Sequence, residues 1–409
     1  MFRKTPRGLR LHLVILGRRN VGKSSVLNCL VQQQVSIVSD IPGTTTDPVE
    51  KRAELLPIGP VNIIDTAGLD DKGRLGDLRV KKTLKVLKKA DLIILVTECD
   101  TWTDYEEEVI KKAEEFNIPL LVLLNKIDIK NTKEEIKRRL EEKNIPYLEI
   151  CALEKGWQNT SKIKEKIIKI LPSEWLKPKA LVSDLVNEGD LVILVAAKDI
   201  EMPKGRIKLP QEQVLRELLD SKAMGLLLEK DNLKACLESL NIKPKLVICE
   251  SHIFNEVIKI LPLDFTCTTF SILFSRYKGD LEELTRGVYA IEKLKPGDKI
   301  LIAEACTHHP IGDDIGRVQI PNMISERVGR INFDVYAGED FPENLSEYKL
   351  IISCGSCMLN RKQFLSRIYQ AKSQNIPITN YGIVFAYLNQ NLERALEPFG
   401  LSKPVCCGV

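Results

Sequence analysis

The sequence predicts α/β structure throughout, arranged as three α/β domains, the first with a mostly parallel sheet. Apolar runs of strand length alternate with helical stretches from Leu9 to Leu171, as in Leu11 to Leu16, Val61 to Ile64, Leu92 to Val96 and Leu120 to Leu124. Near-continuous apolar strands belong to sheets covered on both faces, which is what βαβ crossovers build. The chain has 409 residues, enough at roughly 100 to 200 per domain for several cores. Hydrophobic residues make up 44% and charged residues 28%, ordinary usage that excludes a largely disordered or collagen-like chain.

The first domain, 1–172, ends with a short strand Tyr147 to Ile150 and a helix, then the Pro- and Lys-rich linker Leu171 to Lys179. In the second, 181–262, Asp190 to Ala197 and Lys245 to Cys249 read as buried strands. Gln211 to Leu219, Leu226 to Leu240 and Ile253 to Ile260 read as helical. Two short α/β units make a thin core that another copy would complete, so this is the expected dimerisation domain of a homodimer. Beyond Leu261-Pro262 the alternation resumes in the third domain, 263–409. It predicts helices Leu281 to Leu294, Asp314 to Val328 and Arg361 to Ala371, and strands Lys299 to Ala303, Ile331 to Tyr336 and Lys349 to Ser353.

Lys plus Arg number 60 against 56 Asp plus Glu, a net charge of +4 that is too small to predict phosphate-backbone binding. No nucleic-acid partner is expected. The apolar run behind the basic start is too short for a secretory signal, and no window reaches the roughly 18 apolar residues of a membrane span. The expected location is cytoplasmic, away from membranes. In that reducing compartment the eleven cysteines read as buried small residues, reactive thiols or metal ligands before disulfides.

The first predicted strand runs into Gly17-Arg-Arg-Asn-Val-Gly-Lys-Ser-Ser25 and then an apolar helix, the context a GxxxxGKS loop requires. Gly17, Asn20, Val21 and Gly22 shape a loop whose N–H groups face phosphate oxygens. Lys23 reaches the β- and γ-phosphates, Ser24 ligates Mg²⁺, and Ser25 continues the helix N-terminus. Asp65-Thr-Ala-Gly68 supplies a carboxylate for the metal's water shell and the Gly68 amide for the γ-phosphate. Between them lies a Gly-Thr-Thr-Thr run in which Thr45, and next Thr44, would meet Mg²⁺ when the γ-phosphate is present. Asn125-Lys126-Ile-Asp128 closes a strand, and the Asp128 carboxylate can accept both guanine N1–H and N2–H. Adenine lacks that donor pair, so the base is guanine and the nucleotide GTP or GDP. Cys151-Ala152-Leu153 fits a backbone contact to guanine O6, with Cys where Ser is usual.

With these motifs in order, residues 9–171 resemble the P-loop small GTPases of the group that includes Era and MnmE. Leu69 follows Gly68, so the water-orienting glutamine of Ras-like enzymes is missing and hydrolysis should be slow. The resemblance implies that Asn20 and the Gly43 to Thr45 loop help bind K⁺ where an arginine finger would otherwise sit. GTP hydrolysis stimulated by K⁺ is the expectation, with Lys23, Thr45, Gly68 and Asn20 as catalytic residues.

Two further groups emerge at the carboxyl ends of predicted strands, Glu304-Ala-Cys306-Thr-His308-His309 and Cys354-Gly-Ser-Cys357. In an open parallel sheet those ends share one edge, so three thiolates could converge there. Soft thiolates in a reducing compartment suit an iron-sulfur cluster before zinc, and zinc before a redox dithiol. Cys406 and Cys407 read as tail residues.

A GTPase followed by CxH and, about fifty residues on, CxxC resembles the HydF family, the maturation GTPases of iron-only hydrogenases. That resemblance spans the chain. It implies a 4Fe-4S cluster on Cys306, Cys354 and Cys357, and a scaffold or carrier that delivers a di-iron subcluster. The implied partners are the hydrogenase apoprotein and two radical-SAM maturases, HydE and HydG. Ser353 stands where the family pattern has a second His. The fourth ligand would then be Glu304, His308, His309, a carboxylate such as Asp313, or solvent. The rival readings are an RNA-associated GTPase with structural or zinc-bound cysteines, and a redox sensor closing Cys354 onto Cys357.

Overall fold

The computed structural model describes residues 7–31, 49–55, 58–65, 86–153, 157–171, 179–197, 207–305, 314–338 and 340–401. The chain divides into two compact units, Met1–Pro178 and Lys179–Val409.

In the first unit the described elements are β1 (Leu11–Leu16), α1 (Lys23–Val31), β2 (Val49–Leu55), β3 (Gly59–Asp65), β4 (Leu92–Glu98) and α2 (Asp104–Glu115). They continue with β5 (Leu120–Asn125), α3 (Glu134–Glu142), β6 (Tyr147–Ile150) and α4 (Trp157–Ile170). The sheet order is β2-β3-β1-β4-β5-β6, parallel except where β2 runs against β3. Alternation along β1 sends Leu13 and Ile15 into one core and Val14 and Leu16 into the other, so the strand is apolar at every position from Leu13 to Leu16. β1 pairs with β3 on one side and β4 on the other. The order therefore reverses at β1, and its carboxyl end opens the crevice where ligands of such sheets bind. α2 starts on a capping box between Thr103 and Glu106 and buries Val109, Ile110 and Ala113.

The second unit holds two four-stranded parallel sheets. The first, β10-β9-β7-β8, is built from β7 (Leu191–Ala196), α5 (Leu209–Asp220), β8 (Met224–Glu229), α6 (Leu233–Ser239), β9 (Leu246–Cys249), α7 (Phe254–Ile260), β10 (Cys267–Thr269) and α8 (Phe270–Lys278). After α9 (Leu281–Val288), the second sheet, β12-β11-β13-β14, comprises β11 (Lys299–Ala303), α10 (Ile320–Val328), β12 (Asn332–Tyr336), β13 (Leu350–Ser353), α11 (Arg361–Ser373) and β14 (Ile378–Asn380). It is completed by α12 (Tyr381–Leu388) and α13 (Leu392–Leu396). One core joins the two sheets: Ile193, Val195 and Val247 share a cluster with Ile300, Ile302 and Ile351.

The division expected after Leu261-Pro262 falls inside the first of these sheets, because β10 pairs with β9 beyond it. The expected helical stretch Leu226 to Leu240 is part strand. Met224–Glu229 pairs in register with β7, and only Leu233–Ser239 is α-helical. Leucine favours helices on its own, and sheet pairing overrides that preference. The helix expected from Asp314 begins as a π-turn, Ile315–Gln319, before α10. Pro321 has no N–H to carry the α-pattern back across that point, and it sits in the first turn where none is needed. No described helix is long and apolar enough to cross a membrane.

Candidate functional site

The loop after β1 takes the shape its glycines allow. Gly17 has φ of +152°, and a Cβ there would lie 2.2 Å from the Val96 carbonyl oxygen. Gly22 has φ of +100°, and its Cβ would meet Asn125 Nδ2 at 2.3 Å. Asn20 also adopts the left-handed region, at φ 65°. Lys23, buried at the start of α1, donates from Nζ to the Gly17 carbonyl and, at 2.8 Å, to that of Arg18. The ammonium thus lies across the loop mouth, where phosphate oxygens would take over from the carbonyls. Ser24 is exposed beside it.

Arg18 anchors the loop from behind. Its Nε donates to Glu106 Oε1 at 2.8 Å, and Glu106 is fully buried in the first turn of α2. The same carboxylate accepts from Thr97 Oγ1, Thr103 N and Thr103 Oγ1, so the buried charge is both paired and hydrogen-bonded. No motif flags Glu106. Its signal is the capping spacing alone.

Asn125 joins three segments. Its Nδ2 donates to the Val21 carbonyl at 2.8 Å and its Oδ1 accepts from the Ala152 amide at 2.9 Å. Asn159 Nδ2 in turn donates to the Cys151 carbonyl at 2.9 Å. Cys151 is buried and Leu153 exposed. Lys126, at φ 69°, pairs with Glu98, which Lys130 also contacts at 2.7 Å. Those two hydrogen bonds hold the Glu98 carboxyl below the usual carboxylate range. Asp128 is exposed at the end of this turn. Asp65 is buried at the end of β3. Thr44, Thr45 and Gly68 lie outside the described residues.

The second site forms where β11 and β13 end side by side. Ala303 is in register with Ser353. The Cys354 thiol accepts from the Ala305 amide at 3.1 Å and the Ser356 amide at 3.4 Å. Burial, with Cys357 adding to it, pushes the Cys354 thiol up to about 11. Ser356 turns the loop at φ 53°. Ser353 is buried, its Oγ donating to the Ala303 carbonyl at 3.4 Å, so it serves the strand end. Glu304 is also buried, and Arg317 holds its Oε2 at 2.9 Å. Cys306, His308, His309, Asp313, Cys406 and Cys407 lie outside the described residues, and among those described no group of three or more metal-ligating side chains is gathered.

The donor set fits an iron-sulfur cluster: two thiols of one CxxC loop, with backbone amides already aimed at sulfur, as anionic thiolates require. Beneath the loop, Lys278 Nζ donates to the carbonyls of Ser356, Cys357 and Leu359 at 3.3, 2.8 and 2.7 Å. Sequence reasoning missed this residue, whose partners lie about eighty positions away.

Residues 12–126 match a family model described as 50S ribosome-binding GTPase. Residues 181–279 match that of the hydrogen maturase F dimerization domain, and 282–398 that of the hydrogen maturase F tetramerization domain. GTPase Der of Wolinella succinogenes is 34% identical over 165 residues, which is 38% of this chain and 35% of that protein. The tRNA modification GTPase MnmE of Prochlorococcus marinus is 44% identical over 123 residues, 30% of this chain and 26% of that protein. The chain thus spans 35% or less of the length of these two relatives. A crystal structure of Era from Aquifex aeolicus bound to GDP and aluminium fluoride aligns at 20% identity and a TM-score of 0.33, covering 61% of this chain and 97% of that one. With a GTPase domain followed by two domains that together cover more than half of its length, this chain belongs to the hydrogen maturase F (HydF) family.

Proposed function

We propose that this chain is a GTPase and iron-sulfur scaffold that assembles or delivers the di-iron subcluster of iron-only hydrogenase. The cluster is a 4Fe-4S centre on Cys306, Cys354 and Cys357. The apo-hydrogenase and the radical-SAM maturases HydE and HydG are its partners in the cytoplasm. The observation that carries the reading is the CxxC thiol of Cys354 against the Ala305 amide, within a stretch matched by a hydrogen maturase F domain. Bound there, the cluster would supply an iron site at which a further metal fragment can attach and leave. The chain's own residues hold the thiolates and orient amides toward sulfur. An RNA-associated GTPase gains nothing from the domains matched beyond residue 181. The test is iron and acid-labile sulfide content, with an EPR spectrum after reduction, on protein prepared without oxygen. About four of each per chain is expected for a cluster of this type. Zinc, or no metal, defeats the reading.

At the nucleotide site, Lys23 neutralises the phosphates, Ser24 and Thr45 hold Mg²⁺, and the Gly68 amide meets the γ-phosphate. Asn20, held left-handed in the loop, contributes to a K⁺ site that stabilises charge developing between the β- and γ-phosphates. Exchanging K⁺ for Na⁺ should slow hydrolysis by roughly tenfold or more, about 1.4 kcal/mol of barrier. Asn20→Ala should remove that difference in a phosphate-release assay.

Dimerisation is assigned to the outer edge of β8. Among the described residues this strand ends its sheet, and it exposes Met224 at 42% and Leu226 at 36%. An unpaired apolar edge is a template for another strand. A second copy pairing there would turn two four-stranded sheets into one. Leu226→Lys should shift the sedimentation coefficient toward the smaller species at micromolar concentration. An unmoved boundary rejects this edge as the interface.

A further inference from the structure

Tyr381 stands directly after β14, at the first position of α12. Asn380 before it caps that helix and donates from Nδ2 to the Ser271 carbonyl at 2.9 Å, so the backbone carrying the ring is fixed. The residue is 8% exposed, and its hydroxyl oxygen is sealed from solvent with no hydrogen-bond partner among the described residues. Buried hydroxyls are rarely left so, because a lost hydrogen bond to water is not repaid.

The surroundings indicate what the hydroxyl serves. A Cβ on Gly316 would lie 2.0 Å from it and 3.0 Å from Glu304 Oε1, so phenol and carboxylate converge on one spot that only glycine leaves open. Glu304 Oε2 is already committed to Arg317. A phenol in its ordinary neutral form carries one O–H to donate. β14, which leads into it, is paired with β13, which leads into Cys354, and Ser353 is in register with Asn380. Two neighbouring strands thus deliver a thiol and an unused donor to the same sheet edge.

We propose that the Tyr381 hydroxyl donates a hydrogen bond to the sulfur shell of the cluster held by Cys354, either to the thiolate or to an adjoining sulfide. The inference rests on the cluster assigned under Proposed function. A donor aimed at cluster sulfur stabilises the additional negative charge of the reduced state, which raises the reduction potential.

The test uses the full chain, wild type and Tyr381→Phe, reconstituted with iron and sulfide without oxygen. Equal iron and sulfide contents are expected, with a lower midpoint potential in the variant. At a fixed potential the reduced-to-oxidised ratio should fall about tenfold, which is 59 mV for a one-electron couple. The EPR g-values of the reduced cluster should shift as well. The apo variant should melt at the wild-type temperature or above it, because the hydroxyl has no partner among the described residues to lose. A full cluster with unchanged potential and g-values overturns this inference and leaves the scaffold reading intact. A lower apo melting temperature also overturns it, since the hydroxyl would then be serving the fold. A wild-type chain that takes up no cluster overturns both readings.

Discussion

Replacing Asp128 by Asn should weaken GTP binding by roughly 100-fold, on the order of 3 kcal/mol, and transfer the preference to xanthosine triphosphate. Guanine presents N1–H and an N2 amino group side by side, and a carboxylate accepts both. An amide at this position keeps one acceptor and turns the other into a donor. Xanthine carries a carbonyl where guanine has its amino group, so the substituted amide completes the pair with the wrong base and loses it with the right one. The neighbouring frame should be unaffected. Asp128 is exposed, whereas the residue that ties this turn to the phosphate loop is Asn125, through Val21 and Ala152. Titration with fluorescent GTP and XTP analogues gives both affinities on the same preparation. Equal loss for both nucleotides would mean that the turn had collapsed, and no loss for GTP would mean that Asp128 does not read the base.

The legible parts of this chain were those whose chemistry is written in adjacent residues. Gly17 and Gly22 flank a loop in which a Cβ would strike Val96 or Asn125, so glycine at those positions carries geometric information. The apolar runs of β1, β4 and β5 could be read because a strand covered on both faces has few polar positions to blur it. β8 was harder. Its Met-Gly-Leu-Leu-Leu-Glu has no β-branched residue and no alternation, and only its pairing with β7 makes it a strand. Lys278 was illegible for a different reason. Its partners lie about eighty positions away, and nothing local distinguishes a buried lysine under a carbonyl-lined loop from one on a helix surface.

Lys278→Met should cost the second unit no more than roughly 3 kcal/mol of stability but strip iron from the cysteine site, while leaving GTP hydrolysis, which belongs to the other unit, unchanged. Lys278 ends α8 at 1% exposure, with Nζ 5.7 Å from the centre of the Phe274 ring. Two opposed effects decide the sign. Burial brings its ammonium down to about 8, opposed by the Cys357 and Cys354 thiols, so keeping the charge there costs on the order of 3 kcal/mol. Methionine of similar length removes that cost. It also leaves the carbonyls of Cys357 and Leu359 without the donor that now serves them, while that of Ser356 keeps the Leu359 amide at 3.2 Å. Each of these two buried carbonyls left unsatisfied costs about 1–3 kcal/mol, roughly 2–6 kcal/mol together, so against the gain of about 3 kcal/mol the net destabilisation is at most roughly 3 kcal/mol. The loop cannot easily turn its carbonyls outward, because Ser356 is held left-handed between the two cysteines and its amide donates to Cys354. Opening it would separate the thiols that must bind together. Melting by circular dichroism and iron content after desalting measure the two effects independently. A variant that melts normally and retains its iron would show that the thiols are set by β13 and the Ala305 amide alone.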